Sequence, residues 1–253
     1  MIKILDLFSG TQSVKKALDL MNIEYEYYGI DIYSPEDDNI LLDLSQDNIV
    51  NKVIAALPKG FIPNFIWASP VCRLFSIATA VKGGNVYFEK TRTGIKVREN
   101  LVPLQTTQFK NYTLDYIQQE TSLHLKLVEN MEIIIQHYDC DFVIENPSHS
   151  YMKNVLDPMY CINRVDYCQY GYDYKKPTII FSNHNLDLKL CNHKGTHGET
   201  FQSDVGDYAA RANVPPKLII DILTMFLGGN KKDGTQWIYL IWCINNSNSN
   251  RKK

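Results

Sequence analysis

Hydrophobic and polar positions alternate along the first 70 residues in short blocks that predict strands and helices in turn. Apolar runs of strand length occupy 2–7, 27–32, 40–44 and 65–68, and stretches with helical spacing occupy 14–21 and 48–57. Strands that alternate with helices at this pitch predict a parallel sheet covered by helices on both faces. The pattern therefore favours an α/β fold.

Beyond residue 112 the alternation returns. Apolar residues at spacings of three and four predict a long helix over 114–137. Further strands are predicted over 141–144, 163–167, 178–181 and 237–244, and a helix that follows Pro215-Pro216 over 217–227. The polar stretch 183–208 has no clear period, and the low-complexity tail 245–253 is predicted to be disordered.

Residues 79–112 interrupt this pattern with the pair Gly83-Gly84 and an excess of basic side chains. Against a single acid, Glu89, the chain places basic residues as far as position 98, namely Lys82, Lys90, Arg92, Lys96 and Arg98. We predict a long mobile loop, because loops of this length are commonly functional or disordered. Such a loop could close over nucleic acid, or it could be a solvated charged segment.

Composition places the chain among ordinary globular proteins. It has 253 residues, of which 45% are apolar and 21% charged, and this suits one large domain with a small lobe. The net charge of −2 gives no global basic surface, so local patches would have to hold a nucleic-acid partner. Six irregularly spaced cysteines and the lack of an apolar leader favour a cytoplasmic location. No apolar run is long enough to span a membrane.

Three segments at predicted strand ends carry residues suited to chemistry. The segment ASPVCRLFS presents Cys72 just past a strand, where nucleophiles are often held, although many loop cysteines are inert. The turn DLFSGTQS joins the first strand to its helix, where backbone N–H groups meet ligands in doubly wound sheets. Asp31 ends the second strand where a carboxylate can bind a ribose, and Asp43 ends the third in reach of an adenine amine. Each could instead be a plain turn or a solvated acid.

In their order along the chain, these segments resemble the motifs of the cytosine-5 DNA methyltransferases, in the short form found in phages and other viruses. DLFSGTQS is similar to DLFxGxGG, ASPVCRLFS to PPCQxFS, and VIENP at 143–147 to the ENV motif. The segments YCQYG and KKPT, within 167–178, are similar to YGxPQxRxR, and ANVPP at 212–216 to GNxVPP. The matches keep the family's order and span residues 4–223.

The resemblance implies a class I methyltransferase fold, which is a Rossmann-like α/β arrangement with a mixed, mostly parallel sheet, helices on both faces and a small irregular recognition lobe. It implies a catalytic domain over 1–182, a minimal target-recognition segment over 183–211, and a helix and strand over 212–244 that complete the catalytic domain. The implied cofactor is S-adenosyl-L-methionine, and the implied partner is double-stranded DNA, bound by a monomer in the host cytoplasm.

The resemblance also assigns residues to the two parts of the site. The implied cofactor-binding residues are Asp6, Phe8, Ser9, Gly10, Thr11, Asp31, Ile32, Asp43, Leu44, Ser69, Pro70, Asn213 and Val214. The implied catalytic residues are Cys72, Glu145, Asn146, Arg73 and Lys175.

The family's reaction explains why these residue types belong together. A thiolate, here Cys72, adds to carbon 6 of cytosine and makes carbon 5 nucleophilic towards a methyl sulfonium. An acid, here Glu145, gives a proton to ring nitrogen 3 and must therefore hold that proton, which burial favours. The target carbon is hidden in a stacked duplex, so the base has to be flipped out.

Some positions depart from the family pattern. Gln12 replaces a glycine, and its side chain either crowds the cofactor or points away from it. Val71 and Arg73 replace the residues that flank the nucleophile, and we expect Arg73, as a cation beside the thiol, to lower the pKa of Cys72. The two arginines of the eighth motif are absent, and Lys175 is the nearest basic substitute.

These departures leave two other functions open. One is a catalytically inactive methyltransferase-like protein that binds DNA or cofactor, and the other is a cytosine-5 methyltransferase acting on tRNA or a pyrimidine nucleotide. The short recognition segment predicts a short or loose sequence preference. It contains Cys191, His193 and His197, but three tightly spaced ligands fall one short of a structural zinc site, so no metal is expected.

Overall fold

The computed structural model describes residues 1–33, 39–193, 197 and 212–229. Its strands, in chain order, are β1 (Ile2–Leu7), β2 (Tyr25–Asp31), β3 (Ile40–Leu41), β4 (Phe65–Ala68), β5 (Ala80–Val81), β6 (Gly84–Asn85), β7 (Phe88–Lys90), β8 (Ile95–Val97), β9 (Asp141–Pro147), β10 (Cys161–Asp166) and β11 (Pro177–Ser182). Its helices are α1 (Ser13–Met21), α2 (Ile49–Ala56), α3 (Leu114–Tyr138) and α4 (Pro216–Gly229). Short 3-10 turns occupy Ile77–Thr79, Val102–Leu104, Tyr151–Asn154 and Tyr167–Tyr170.

Seven strands form the central sheet, in the order β10-β11-β9-β4-β1-β2-β3. The run from β9 to β3 is parallel, whereas β11 is antiparallel to both of its neighbours. When the seven strands of this sheet are renumbered from one to seven in chain order, their order across the sheet, read from β3 to β10, is 3-2-1-4-5-7-6. This is the class I methyltransferase architecture that the sequence predicted, so the predicted fold class is confirmed.

Helices cover both faces of the sheet. On one face α2 and α3 bury apolar side chains such as Val53 and Ile134, and on the other α1 and α4 bury Leu18 and Ile222. The long helix α3 begins at a cap, because the Thr113 side chain accepts a hydrogen bond from the Tyr116 N–H at 3.2 Å. The helix ends at Tyr138, and β9 begins at Asp141, next to β4 in the sheet.

The prediction of a mobile loop over 79–112 is wrong. Strands β5 to β8 form an antiparallel sheet of their own. The buried guanidinium of Arg98, only 1% exposed, holds this small sheet together by donating to the Asn85 and Phe88 carbonyls, with Glu89 nearby at 3.5 Å. Strands of two or three residues around a buried cation leave no hydrophobic periodicity, which is why the pattern missed them.

The remaining predicted elements of the described chain are confirmed with shifts of a few residues at their ends, except that β3 ends at Leu41 rather than at 44. The predicted last strand and the tail, 237–253, lie outside the described residues, as does much of the segment 183–211. None of the described helices combines the length and the apolar character that a bilayer span requires.

Candidate active site

The carboxyl ends of the parallel strands bring the sequence motifs to one edge of the sheet. Because β1, β4 and β9 are parallel neighbours, the residues that follow them lie side by side. These residues are the turn 8–12 after β1, the loop 69–76 after β4, and Glu145 to Pro147 at the end of β9. The sequence analysis placed the first two segments at strand ends, and the resemblance assigned Glu145 to the same catalytic site as Cys72.

The turn after β1 has an unusual backbone. Phe8, Gly10 and Gln12 take left-handed conformations with φ of 60°, 47° and 57°. Such a conformation costs a residue other than glycine about 1–3 kcal/mol and is found most often at functional sites. The Gly10 N–H donates to Asp31 Oδ2 at 2.9 Å and the Ser9 N–H to the Ile30 carbonyl at 3.1 Å. The strained turn is thus locked onto the end of β2.

Asp31 and Ile32 form an edge suited to a nucleoside. The second Asp31 oxygen, Oδ1, accepts from the Tyr33 N–H at 2.9 Å, so each carboxylate oxygen is oriented and still has a lone pair for a ribose hydroxyl. Ile32 is 70% exposed, which is high for a large apolar side chain and offers a surface against which a purine ring could pack. Both predicted residues therefore lie where a bound nucleoside could reach them.

Asp6 is a buried acid beneath this turn. Burial raises its pKa to about 8, the charge of Asp31 adds to that rise, and a hydrogen bond from the Tyr27 hydroxyl at 2.8 Å opposes it. Asp6 is therefore protonated at neutral pH in this state. Its side chain is 2% exposed, at the strand end that leads into the turn.

Two predicted cofactor residues after β3 have structural contacts. Asp43 Oδ1 accepts from the Ser45 N–H at 2.8 Å, and this closes a turn two residues past the end of the strand. The Leu44 side chain lies in the core, and its carbonyl accepts from Asn130. The Leu44 side chain thus packs inward, and the assignment of Asp43 and Leu44 to the cofactor site stays a prediction.

The last motif packs against the first. Thr11 Oγ1 donates to Asn213 Oδ1, and the Val214 N–H donates to Ser13 Oγ at 3.3 Å, across about 200 residues of chain. Gln12, the departure from glycine in the first motif, is 3% exposed and donates to Asn39 Oδ1 at 2.8 Å. Its side chain is thus anchored beside β3 rather than projecting freely over the turn.

The loop that carries Cys72 is tied down on several sides. Asn146 Nδ2 donates to the Pro70 carbonyl at 3.3 Å, which joins this loop to the end of β9. The N–H groups of Phe75 and Ser76 both donate to the Cys72 carbonyl, at 3.1 and 2.9 Å. The buried Asn85 of the small sheet donates to the Leu74 carbonyl at 2.8 Å. The sulfur is therefore presented by a fixed loop.

Cys72, Glu145 and Lys176 act on one another electrostatically. Burial raises the pKa of the Cys72 thiol, the charge of Glu145 raises it further, and the charge of Lys176 lowers it. The three groups therefore share one site, with the cysteine on the loop after β4, the acid on β9 and the lysine just before β11. In this state the thiol carries its proton.

Tyr167 connects the acid and the lysine. Its hydroxyl donates to Glu145 Oε1 at 2.8 Å, and the Lys176 ammonium lies over its ring, 4.7 Å from the centroid. Both Tyr167 and Lys176 are buried, at 0% and 7% exposure. The sequence analysis did not select Tyr167, although its position at the start of the segment compared with the eighth motif was a usable signal.

The two predicted cationic residues have other contacts. Arg73 is near Tyr87, Tyr112 and Tyr116, with Nη2 3.4 Å from the Tyr116 hydroxyl, and it lines a cleft of about 210 Å³ that includes neither Cys72 nor Glu145. The expectation that Arg73 lowers the pKa of Cys72 is therefore wrong. Lys175 lies 3.6 Å from Asp166 with its side chain 44% exposed. The cation that acts on the thiol is the next residue, Lys176, which is 7% exposed just before β11.

This difference between neighbours gives a matched test. The substitution Lys176→Met should slow alkylation of Cys72 by iodoacetamide at pH 8 by at least about threefold, because it removes the cation that favours the thiolate. The substitution Lys175→Met should leave the alkylation rate unchanged. Rates would be measured by mass spectrometry of the Cys72 peptide. Equal effects of the two substitutions would contradict the assignment of Lys176 to the site.

Two buried polar atoms at this edge lack a hydrogen-bond partner among the described residues, Ser9 Oγ and Asn146 Oδ1. Buried polar atoms are normally paired, so such orphans mark places where a ligand or water is expected. One lies on the turn after β1 and the other beside the Cys72 loop. The residues present therefore suit a polar ligand that extends from the first turn towards Cys72, as S-adenosylmethionine would.

The fold and this edge of the sheet define a class I methyltransferase. No protein-family profile matches the chain. A probable DNA (cytosine-5)-methyltransferase of Frog virus 3 (isolate Goorha) is 26% identical over 247 residues, covering 88% of this chain and all of the viral protein. The resemblance to the cytosine-5 methyltransferases that the motifs indicated is thereby confirmed.

Solved structures of methyltransferases are similar at a greater distance. The Entamoeba histolytica methyltransferase EhMeth has a TM-score of 0.43 and 10% identity over 78% of this chain. A triple mutant of Spodoptera frugiperda DNMT2 has a TM-score of 0.41 and 15% identity over 76% of this chain. The S. pombe Dnmt2 methyltransferase has a TM-score of 0.42 and 16% identity over 73% of this chain. This chain spans 57%, 54% and 52% of the length of those three chains.

Proposed function

We propose that the protein is a DNA (cytosine-5)-methyltransferase that transfers a methyl group from S-adenosylmethionine to carbon 5 of a flipped cytosine. One observation carries the proposal: Cys72, Glu145 and Lys176 meet at the carboxyl edge of the sheet, next to a strained turn after β1. A thiol, an acid and a cation at one edge of the sheet are what nucleophilic addition to a pyrimidine ring requires. The viral relative, a probable enzyme of this type, supports the choice of DNA.

The cofactor would be held by the first turn and the end of β2. Asp31 would accept from the ribose hydroxyls, Ile32 would pack on the adenine, and Ser9 would use its orphan hydroxyl towards the methionine part. Bound there, S-adenosylmethionine supplies an electrophilic methyl carbon. Thr11 and Asn213, bonded to each other, would close the adjoining wall.

A single proton can serve both catalytic groups. The resting thiol of Cys72 is protonated because burial and the Glu145 charge oppose the thiolate. If that proton passes to Glu145, the sulfur becomes a thiolate and the charge that opposed it disappears. The acid then holds the proton that ring nitrogen 3 requires. The Lys176 ammonium lowers the pKa of the thiol and so stabilises the thiolate once it has formed.

The reaction then balances with groups on this chain and water. The Cys72 sulfur bonds to carbon 6 while Glu145 gives its proton to nitrogen 3. Carbon 5 would take the methyl group that bound S-adenosylmethionine supplies, and S-adenosylhomocysteine would be left. Water removes the proton on carbon 5, the bond from sulfur to carbon 6 breaks, and nitrogen 3 returns its proton to Glu145. The products are 5-methylcytosine and a restored thiolate.

The small sheet β5 to β8 is the surface that we assign to the DNA backbone. It is attached to the Cys72 loop by Asn85 and by stacking of Phe75 on Phe88, with ring centroids 5.7 Å apart. Its exposed basic residues are Lys82, Lys90, Arg92 and Lys96, whereas Arg98 is buried and structural. Lys96 pairs with Glu89 and Glu99, so we assign the phosphate contacts around a flipped nucleotide to Lys82, Lys90 and Arg92.

The function is tested by incubating the protein with cofactor labelled in its methyl group and with duplex DNA, tRNA or deoxycytidine monophosphate. Label in DNA that bisulfite sequencing then places on cytosine is the expected result. If only tRNA or only the nucleotide is labelled, that molecule is the substrate and DNA is not. If no substrate is labelled under conditions where the cofactor binds, the protein is a catalytically inactive methyltransferase-like protein.

The assignment of the small sheet to the DNA surface is tested separately, by measuring duplex binding at several salt concentrations. The triple variant Lys82→Gln, Lys90→Gln, Arg92→Gln should weaken duplex binding and flatten its salt dependence, because each cation contributes about one unit to that slope. Lys59→Gln is the matched change, since Lys59 is exposed before β4, at the opposite edge of the sheet. Equal binding by the triple variant and the wild type would remove the small sheet from the DNA surface.

A further inference from the structure

Two cysteines and two histidines meet beside the turn Tyr167–Tyr170. Cys168 lies in that turn, after β10, whereas Cys191, His193 and His197 follow β11. Each offers one sulfur or ring nitrogen, and the four atoms lie within 4.8 Å of one another. We propose that Cys168, Cys191, His193 and His197 bind one structural zinc ion, which fastens the recognition segment to the catalytic domain.

The distances from the Cys191 sulfur to the two imidazoles match a tetrahedral site. Zinc bonds of about 2.3 Å to sulfur and about 2.0 Å to nitrogen put a sulfur and a nitrogen ligand about 3.5 Å apart in a tetrahedron. The Cys191 sulfur lies 3.6 Å from His193 Nδ1 and 3.3 Å from His197 Nε2. Two thiolates and two neutral imidazoles also neutralise the ion, and four protein ligands make the site closed and structural.

Other contacts already bring the two halves of this cluster together. The Cys191 N–H donates to Asp166 Oδ2 at 2.8 Å, and the Lys189 N–H donates to the Tyr170 hydroxyl at 3.1 Å. Gln169 Nε2 donates to the Asn192 side chain at 3.2 Å. Hydrogen bonds next to the proposed metal ligands thus hold residues 189–192 against the turn Tyr167–Tyr170. Such neighbouring contacts orient metal ligands in established zinc sites.

A disulfide between Cys168 and Cys191 is the main rival. Both are free thiols, and a disulfide would leave the two imidazoles gathered around the same point without a role. The sequence analysis expected no metal because it counted three close ligands. The fold supplies the fourth, Cys168, from 23 residues upstream of Cys191.

The position of the site suggests what the ion does. Cys168 is the neighbour of Tyr167, whose hydroxyl donates to Glu145. Cys191, His193 and His197 lie in the stretch that we assign to target recognition. A zinc ion would therefore hold the recognition segment at a fixed distance from the catalytic acid, without touching the substrate.

The test is the metal content of the full-length protein, purified without metal-affinity resin and measured by inductively coupled plasma mass spectrometry. We expect about one zinc per chain, lost to below about a tenth of an equivalent in the double variant Cys168→Ser, Cys191→Ser. Cys140→Ser is the matched control and should keep the metal, because Cys140 lies outside the cluster, just before β9.

A second measurement does not depend on the folding of the variants. Wild-type protein stripped by a chelator should take up one Co²⁺ and show the strong visible absorption of a tetrahedral thiolate site. Absence of both zinc and this spectrum would overturn the proposal, as would full zinc retention in the double variant. A wild-type mass lower by two hydrogens, abolished by reductant, would establish the disulfide instead.

Discussion

Serine in place of Cys72 is expected to lower the rate of methyl transfer to DNA by at least about 10⁴-fold, because it removes the nucleophile of a covalent mechanism. A hydroxyl loses its proton far less readily than a thiol. At this site burial and the charge of Glu145 oppose an anion even on sulfur. Single-turnover transfer of labelled methyl would measure the loss. Cys140→Ser should react at the wild-type rate, since Cys140 lies before β9, at the opposite edge of the sheet.

Duplex DNA that contains 5-fluorocytosine gives an independent readout of the same residue. Fluorine at carbon 5 cannot leave as a proton, so the adduct between sulfur and carbon 6 should persist through denaturing electrophoresis. Wild type and Cys140→Ser should both form this adduct, and Cys72→Ser should form none. A Cys72→Ser protein that retained a tenth of the activity would contradict the assignment of the nucleophile.

The place of the site in the fold was predictable because strand ends are easy to recognise. The apolar runs of β1 and β4 end at polar turns, and both strands have the bounds that the pattern predicted. Once the strands are parallel neighbours, the turn after β1 and the Cys72 loop must lie at one edge. The first and last motifs, which the resemblance assigned to one cofactor site, meet through Thr11 and Asn213.

The direction of individual side chains was not predictable in the same way. Lys175 and Lys176 are identical in sequence terms, yet only Lys176 is buried towards Cys72. Arg73 follows the nucleophile directly, but three tyrosines from distant segments draw it away. Burial decides both cases, and burial depends on packing partners that no local pattern contains.

Long-range polar contacts account for the rest of what the pattern missed. Arg98 organises the small sheet from inside through backbone carbonyls, although a basic residue in a polar stretch suggests a solvated loop. Cys168 reaches Cys191 only because β10 and β11 are paired. Both features depend on pairings between strands, so each becomes visible only when the sheet has been assembled.

Glutamine in place of Glu145 should separate acid catalysis from the reactivity of the thiol. We expect methyl transfer to fall by about 10²- to 10⁴-fold, the usual loss when a general acid is removed. Alkylation of Cys72 should become faster in the same variant. The Glu145 charge raises the pKa of the thiol, so its removal lowers that pKa and increases the thiolate fraction at a given pH.

The two opposite changes would be read from methyl-transfer rates and from the pH dependence of iodoacetamide alkylation, whose midpoint should move to lower pH. Tyr167→Phe is the matched control, because it deletes the hydroxyl that donates to Glu145 Oε1 and keeps the carboxylate. It should leave the alkylation profile near that of the wild type. Slower alkylation in Glu145→Gln would show that the carboxylate charge does not oppose the thiolate at this site, contrary to the effect of Glu145 on the pKa of Cys72.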